Sequence, residues 1–226
     1  MSDLHEYPDV QQGTDEWLEL RRGIMTASTV GQFISPKTLK VAANDTSRAL
    51  TSQLVAERIT GWIEPVHVSD DMMRGNMDEP LARDLYSKTW APVTEMGFMV
   101  REPYGYRLGY SPDGLVGDDG LIEAKSRKPK KHLATIVADE VPAENMAQCQ
   151  AALLVSGRKW IDYLSYCGGM PMWRKRVYRD PSWFDAITEA LAAFEVAAAA
   201  IEAVYTQATT GLPTTERVNY DAEIRF

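Results

Sequence analysis

The chain has 226 residues, 45% hydrophobic and 9% aromatic, enough to bury a core, and a single domain over residues 1–226 is expected. Its 24 basic and 32 acidic side chains give a net charge of −8, which argues against a general nucleic-acid binder but allows an enzyme that collects carboxylates around metals and keeps a local basic track. The only cysteines, Cys149 and Cys167, match no metal-ligand or redox spacing, which argues against a disulfide framework and fits a reducing cytoplasm.

The opening MSDLHEYPDVQQ carries neither the basic start nor the apolar stretch of a signal peptide, and the alanine-rich run near residue 200 is interrupted by Glu195 and Glu202. A soluble protein without membrane association is expected. Thr14 to Arg22 and Ser28 to Ile34 read as short helices around Gly23, followed by a clearer one from Thr46 to Thr60 with Leu50, Leu54 and Ile59 on one face and Gly61 as its stop. Met73, Met77, Leu81 and Leu85 continue at four-residue spacing, with a break expected near residue 79 at Pro80. Residues 93–100, 106–117 and 121–126 are rich in Val, Tyr, Phe and Ile and read as a three-stranded meander. A helix from Pro142 to Ser156 turns Met146, Cys149 and Leu153 inward, and strands at 159–167 and 172–179 follow, separated by Gly168–Pro171. Asp180-Pro181 opens a last helix to about Gln207, with Phe184, Ile187, Leu191 and Phe194 as core residues, and the remaining residues read as irregular. This order gives an α/β layered domain around a central mixed β-sheet flanked by helices, with a helical N-terminal region.

The chemistry concentrates in Ser111-Pro112-Asp113-Gly114-Leu115, the turn Gly117–Gly120, and Leu121-Ile122-Glu123-Ala124-Lys125. Alternate strand residues share a face, so Glu123 and Lys125 project together. Phosphodiester hydrolysis needs oxygen ligands for a hard divalent cation and a positive group beside the attacking water. Asp113 and Glu123 suit the first task and Lys125 the second, and the Ala124 carbonyl lies next to the ligand face. A plain two-residue turn at Asp118-Asp119 would place Asp113 opposite Ala124, on the wrong face. A three-residue loop or bulge with Gly117 or Gly120 left-handed is therefore required.

Three further segments carry weaker signals. Glu79, in Gly75 to Arg83, can overhang the sheet, although alone it reads as a solvated helix-start glutamate. Gln148 and Gln150 interrupt an apolar helix, either as buried groups needing partners or as an exposed pair. Arg21, with hydroxyls from Thr26 to Ser28 near helix N-termini, makes a natural phosphate site or ordinary capping. The basic run from Lys125 to Lys131, including Arg127 and Lys128, can line a phosphate track or form a solvated loop. A second cluster, Arg174, Lys175, Arg176 and Arg179, alternates faces, so its four cations cannot all reach one groove.

The segments QGTDEWLELRRGIMTAS, RGNMDEPLAR, GYSPDGL with LIEAKS, and NMAQCQ, in this order over residues 11–165, resemble the phage lambda exonuclease family, the YqaJ-type viral recombinases among the PD-(D/E)xK nucleases. That resemblance implies a restriction-endonuclease-like core and a 5′-to-3′ exonuclease that leaves a 3′ overhang on duplex DNA for recombination by strand annealing. It also implies two Mg²⁺ ions, replaceable by Mn²⁺, on Asp113, Glu123 and the Ala124 carbonyl, with Glu79 assisting, Lys125 activating water and Gln148 positioned beside them. By the same likeness Arg21, Ser28 and Ser111 hold the 5′ phosphate at double-stranded DNA ends. A homotrimeric ring, a single-strand annealing protein as partner, and a phage or prophage origin with action in the bacterial cytoplasm complete the expectation. An endonuclease or a RecB-type repair nuclease shares the Asp113, Glu123 and Lys125 set, and a DNA-end clamp without catalysis is the non-enzymatic alternative.

Overall fold

The computed structural model describes residues 4–65 and 68–217. Strand β1 (Leu4–Tyr7) leads to helix α1 (Asp15–Arg21), where the Thr14 hydroxyl accepts from the Trp17 N–H and Asp15 and Glu16 in the first turn complement the helix dipole. The expected helix over Ser28–Ile34 is only a 3₁₀ turn, Val30–Phe33, lying between β2 (Met25–Thr26) and β3 (Ile34–Ser35), which pairs with β4 (Lys40–Val41). Thr29, Val30 and Gly31 are weak helix formers, and pairing of the flanking residues into strands leaves room for only a 3₁₀ turn between them.

Helix α2 (Asp45–Thr60) has a reciprocal capping box between Asn44 and Ser47 and ends on Gly61 at φ +64. It buries Leu50 and Leu54 but leaves Ile59 exposed. Helix α3 (Asp70–Thr89) runs unbroken through Pro80, contrary to the expected break. Pro80 is exposed, so its ring meets solvent, and the helix is supported around it by a tie from Asp78 to Ser126 and by the intrahelical pair Glu79–Arg83. The Met73, Met77, Leu81 and Leu85 row faces outward, while Ala82 and Tyr86 are buried.

The three-stranded meander is replaced by two sheets. β5 (Phe98–Arg101) and β6 (Leu108–Tyr110) belong to one, in the order β1-β5-β6-β2, with β2 parallel to β6. β7 (Gly114–Val116) and β8 (Gly120–Ser126) belong to the other, which continues into β9 (Trp160–Tyr166) and β10 (Trp173–Tyr178) in the order β10-β9-β8-β7, with β8 parallel to β9. Pro112, which has no N–H to donate, lies in the Ser111–Asp113 connection where the chain passes from the first sheet to the second. Thr94 and Leu115 exchange two backbone hydrogen bonds across the seam, at 2.9 and 2.8 Å.

Helix α4 (Pro129–Ala138) grows out of the basic run, with Pro129 in its first turn. Helix α5 (Ala143–Ser156) packs against strands of both sheets and buries Ala147, Cys149, Ala151 and Leu153, while Met146 is half-buried. Helix α6 (Pro181–Thr209), capped by Asp180, buries Ile187, Leu191 and Phe194 and partly buries Phe184. Both cysteines are buried free thiols. One apolar cluster runs from Met25 and Phe33 through Leu108, Leu121 and Leu153 to Ile161 and Phe194, and a smaller one under α3 joins Tyr86, Val116, Ile122 and Leu164. The architecture is a mixed α/β fold of the restriction-endonuclease-like type, with the mixed strand pairing shared between two sheets. Among the described residues no helix is long and apolar enough to cross a membrane. Residues 213–217 adopt no regular structure, and residues 218–226, part of the segment read as irregular, lie outside the described residues.

Candidate active site

The β7–β8 connection has three residues, Gly117 to Asp119, because Val116 pairs with Gly120 and Gly114 with Ile122. Gly117 takes φ +51, a left-handed value that suits glycine. Extending this register by one position puts Asp113 directly across from Glu123, so both carboxyls share a face, as the strand argument required. The Asp113 carboxylate accepts the Ala124 N–H at 2.6 Å. N–H and C=O of one strand residue point to the same edge, so the Ala124 carbonyl is directed past the end of β7 into the same space.

Glu123 is 1% exposed, and its Oε1 accepts from Gln148 Nε2 at 2.6 Å and from Lys125 Nζ at 2.7 Å. Its Oε2 is buried with no partner among the described residues. A buried carboxylate oxygen without a donor is costly, and a cation beside it removes the cost. Burial, reinforced by the Glu123 and Glu79 charges, pushes the Asp113 carboxyl well above the usual carboxylate range. Two facing carboxylates, one orphaned oxygen and a carbonyl form an oxygen-only donor set of the kind hard divalent cations prefer. Asp113, Glu123 and the Ala124 carbonyl therefore fit a divalent metal. Glu79 lines the same cavity, with its carboxylate held by Arg83 at 2.8 Å; Arg83 also pairs with Glu95 at 2.7 Å. Among the described residues no three acidic, histidine or cysteine side chains already converge as a metal cluster. Burial works against the Lys125 charge, but Glu123 and Asp113 outweigh it and hold the ammonium protonated.

The other sequence-singled residues face this centre across one cavity of about 340 Å³, whose lining includes Arg21, Ser28, Ser111, Asp113, Glu123, Lys125 and Gln148. The Arg21 guanidinium lies 4.1 Å above the Trp17 ring centre, and the Trp17 indole N–H donates to the Ser111 hydroxyl at 2.8 Å. The Ser28 hydroxyl is 3.0 Å from that of Thr26. Burial lowers the Arg21 pKa to about 10, with the Glu57 charge acting in the opposite direction. Among the described residues no acid pairs with Arg21. The site thus has a carboxylate end and a cationic, hydroxyl-bearing end.

The basic run divides. Arg127 turns inward, donating from one nitrogen to Asn145 Oδ1 and to the Tyr163 hydroxyl, because the apposed α5 and β9 present acceptors that solvent does not reach. Lys128 stays at the rim, 3.0 Å from Asp71, which lines the cavity. Arg174 and Arg176 both bind Asp162, and Lys175 binds Asp139. Trp17 and Glu57 were not singled out from the sequence. Trp17 had a signal in its place between Thr14 and Arg21, whereas the partner of Glu57 is 34 residues away and no local pattern announces it.

The profile of the YqaJ-like viral recombinase domain matches residues 16–159. The alkaline exonuclease LHK-Exo from Laribacter hongkongensis is 32% identical, with 87% of this chain and 99% of that chain covered at a TM-score of 0.77, and its complex with dAMP gives the same values. A phage-related exonuclease from Haemophilus somnus 129PT, 14% identical over 80% of this chain and 96% of its own, shares the fold at a TM-score of 0.64. No curated protein matches the chain. On this agreement of profile, relative and carboxylate–lysine site, the chain belongs to the YqaJ-like viral recombinase family and is a nuclease.

Proposed function

We propose that the protein is a divalent-metal-dependent exonuclease that degrades one strand of duplex DNA from a 5′ end and leaves a 3′ overhang for recombination by strand annealing. The observation that carries this reading is the in-register pair Asp113 and Glu123, with the orphaned Glu123 Oε2, at one end of a cavity whose other end presents Arg21, Ser28 and Ser111. The exonuclease relatives support the same reading.

Asp113, Glu123 and the Ala124 carbonyl would hold Mg²⁺, as two ions for which Mn²⁺ substitutes, with Glu79 assisting once it leaves Arg83. Bound there, the metal supplies Lewis acidity toward the phosphate and lowers the pKa of attacking water. Gln148 fixes Glu123. Lys125, held beside Glu123, orients or activates the attacking water and stabilises the charge that develops on phosphate oxygen. Arg21 and the Ser28 and Ser111 hydroxyls receive the terminal 5′ phosphate and so measure the distance to the bond that is cut. Breaking the P–O3′ bond leaves each new end with a 5′ phosphate, which returns to the same cradle. Lys128 contacts the backbone at the rim without reading sequence.

The same reading includes a homotrimeric ring around the duplex, for which the exposed Met73, Met77, Leu81 and Leu85 row offers apolar surface, and a single-strand annealing protein as partner. It also places the enzyme in the cytoplasm of a bacterial host carrying a phage or prophage.

Linear and closed-circular duplexes incubated with Mg²⁺ test the polarity and end requirement. Linear DNA labelled at its two ends should lose 5′ label first and closed circles should survive; cutting of circles would replace this reading with an endonuclease. Asp113→Ala and Lys125→Ala should each lower hydrolysis by at least about a thousandfold while duplex binding in EDTA persists. Full activity in either variant would remove that residue from the chemistry.

A further inference from the structure

Gly23 connects α1, which carries Arg21, to β2 and the Thr26 and Ser28 hydroxyls, and its φ is +66. Both polar groups of its backbone are taken by consecutive side chains of α2. Glu57, 6% exposed, accepts the Gly23 N–H at 2.9 Å on Oε2 and the Gln53 amide at 3.1 Å on Oε1. Arg58 donates from Nε to the Gly23 carbonyl at 2.6 Å and grips Glu195 of α6 with its two terminal nitrogens at 2.8 and 2.7 Å. A Cβ on Gly23 would stand 2.3 Å from the Arg58 Cγ, so the turn admits no side chain. Glu57 is also the acid whose field acts on Arg21, which has no acid partner of its own among the described residues.

We propose that Glu57 is the positioning residue for terminal-phosphate recognition: it clamps the Gly23 turn and supplies the counter-charge that keeps the half-buried Arg21 aimed into the cavity. Arg58 and Glu195 anchor the clamp to α6. The inference rests on Arg21 receiving the 5′ phosphate. An acid that only satisfied a buried peptide would support both kinds of DNA end equally, whereas one that sets the phosphate cradle governs the difference between them.

The test compares kcat/KM on linear duplexes with 5′-phosphate and 5′-hydroxyl ends, together with the affinity of both duplexes in EDTA by fluorescence anisotropy. Glu57→Gln keeps the shape and an acceptor oxygen but removes the charge, Glu57→Asp keeps the charge but draws it back, and Arg21→Ala sets the floor. Wild type should prefer the phosphorylated end by about tenfold or more, as loss of one charge-assisted hydrogen bond implies. Arg21→Ala should abolish that preference, Glu57→Gln should bring it close to the Arg21→Ala value, and Glu57→Asp should retain part of it. The thermal midpoint of each variant reports folding, and both preferences are ratios, so lost active protein cancels. If Arg21→Ala loses the preference and Glu57→Gln keeps it, the positioning role is overturned while the reading of Arg21 stands. If wild type shows no preference, or Arg21→Ala retains it, both are overturned.

Discussion

At the scale of single residues the site is governed by which polar atoms already have partners. Glu123 spends Oε1 on Gln148 and Lys125 and leaves Oε2 bare, so the side chain is fixed in orientation but incomplete in bonding. Gln148 contacts no reacting atom in this arrangement; it removes rotamer freedom from a ligand. Supporting hydrogen bonds of this kind are worth about 10–100-fold in metal affinity or activity. Gln148→Ala should therefore raise the Mg²⁺ concentration needed for half-maximal hydrolysis by that factor, and isothermal titration with Mg²⁺ should show the same weakening without substrate. An unchanged titration would mean that Lys125 alone holds Glu123. Much of this centre was legible beforehand: period-two alternation puts Glu123 and Lys125 together, and the facing requirement demanded the three-residue loop that Gly117 provides. The neighbourhood of Gln148 was legible only through the family likeness, because nothing in a helix sequence itself says which strand residue its side chain will meet.

At the scale of elements, α3 shows how tertiary ties override a local breaker. Pro80 removes one helix hydrogen bond, yet Ser126 accepts from Arg74 at 3.0 Å and donates to Asp78 at 2.6 Å, while Tyr86 reaches Asp162 at 2.7 Å. Asp162 is the hub, fully buried and shared by Tyr86, Arg174 and Arg176. Burial alone would raise its pKa, but hydrogen bonds from Arg176 and Tyr86 and the arginine charges more than reverse that and lower it. A carboxylate whose folded pKa lies below its unfolded value of about 3.9 contributes stability that is fully present above that pH. The contribution is lost as pH falls through the folded value. Asp162→Asn should cost about 2–3 kcal/mol at neutral pH in urea unfolding, below the full penalty for a broken buried pair because both arginines are about one-third exposed and can rehydrate. The deficit should shrink below about pH 4, where wild type loses the same interaction; a constant deficit would assign the loss to packing instead. Element type was read correctly for α1, α2, α5, β9, β10 and α6, each marked by a cap, a glycine stop or alternating residues. The failures have separate causes. Residues 106–117 carry a continuous apolar pattern, but the chain changes sheets at Pro112, and α4 was hidden because Lys128 offers no side-chain cap and Pro129 is its sole start signal.

At the scale of the whole molecule, a net charge of −8 must be reconciled with a polyanionic substrate. The described structure answers in part by committing five arginines internally: Arg58 to Glu195, Arg83 to Glu79 and Glu95, Arg127 to Asn145 and Tyr163, and Arg174 with Arg176 to Asp162. Few remain at the cavity rim, and Lys128, paired to the exposed Asp71, is the one whose partner solvent or phosphate most readily replaces. An acidic surface of this kind disfavours sliding on intact duplex and leaves affinity concentrated near the site, which suits an enzyme that engages an end. The two neighbouring cations, Lys128 and Arg127, then separate by salt dependence. Each phosphate contact contributes about 0.9 to the slope of log K against log salt on duplex DNA. Lys128→Ala should reduce the slope of duplex binding, measured by anisotropy in EDTA, by about that amount and leave the thermal midpoint near wild type. Arg127→Ala should leave the slope unchanged and lower stability by about 1–3 kcal/mol, since it removes two charge-assisted hydrogen bonds to buried groups and leaves the Tyr163 hydroxyl and Asn145 Oδ1 only the 3.1 Å bond between them. If Arg127→Ala instead lowers the slope at full stability, the guanidinium leaves its inward partners for phosphate when DNA binds, and the basic run acts as one track.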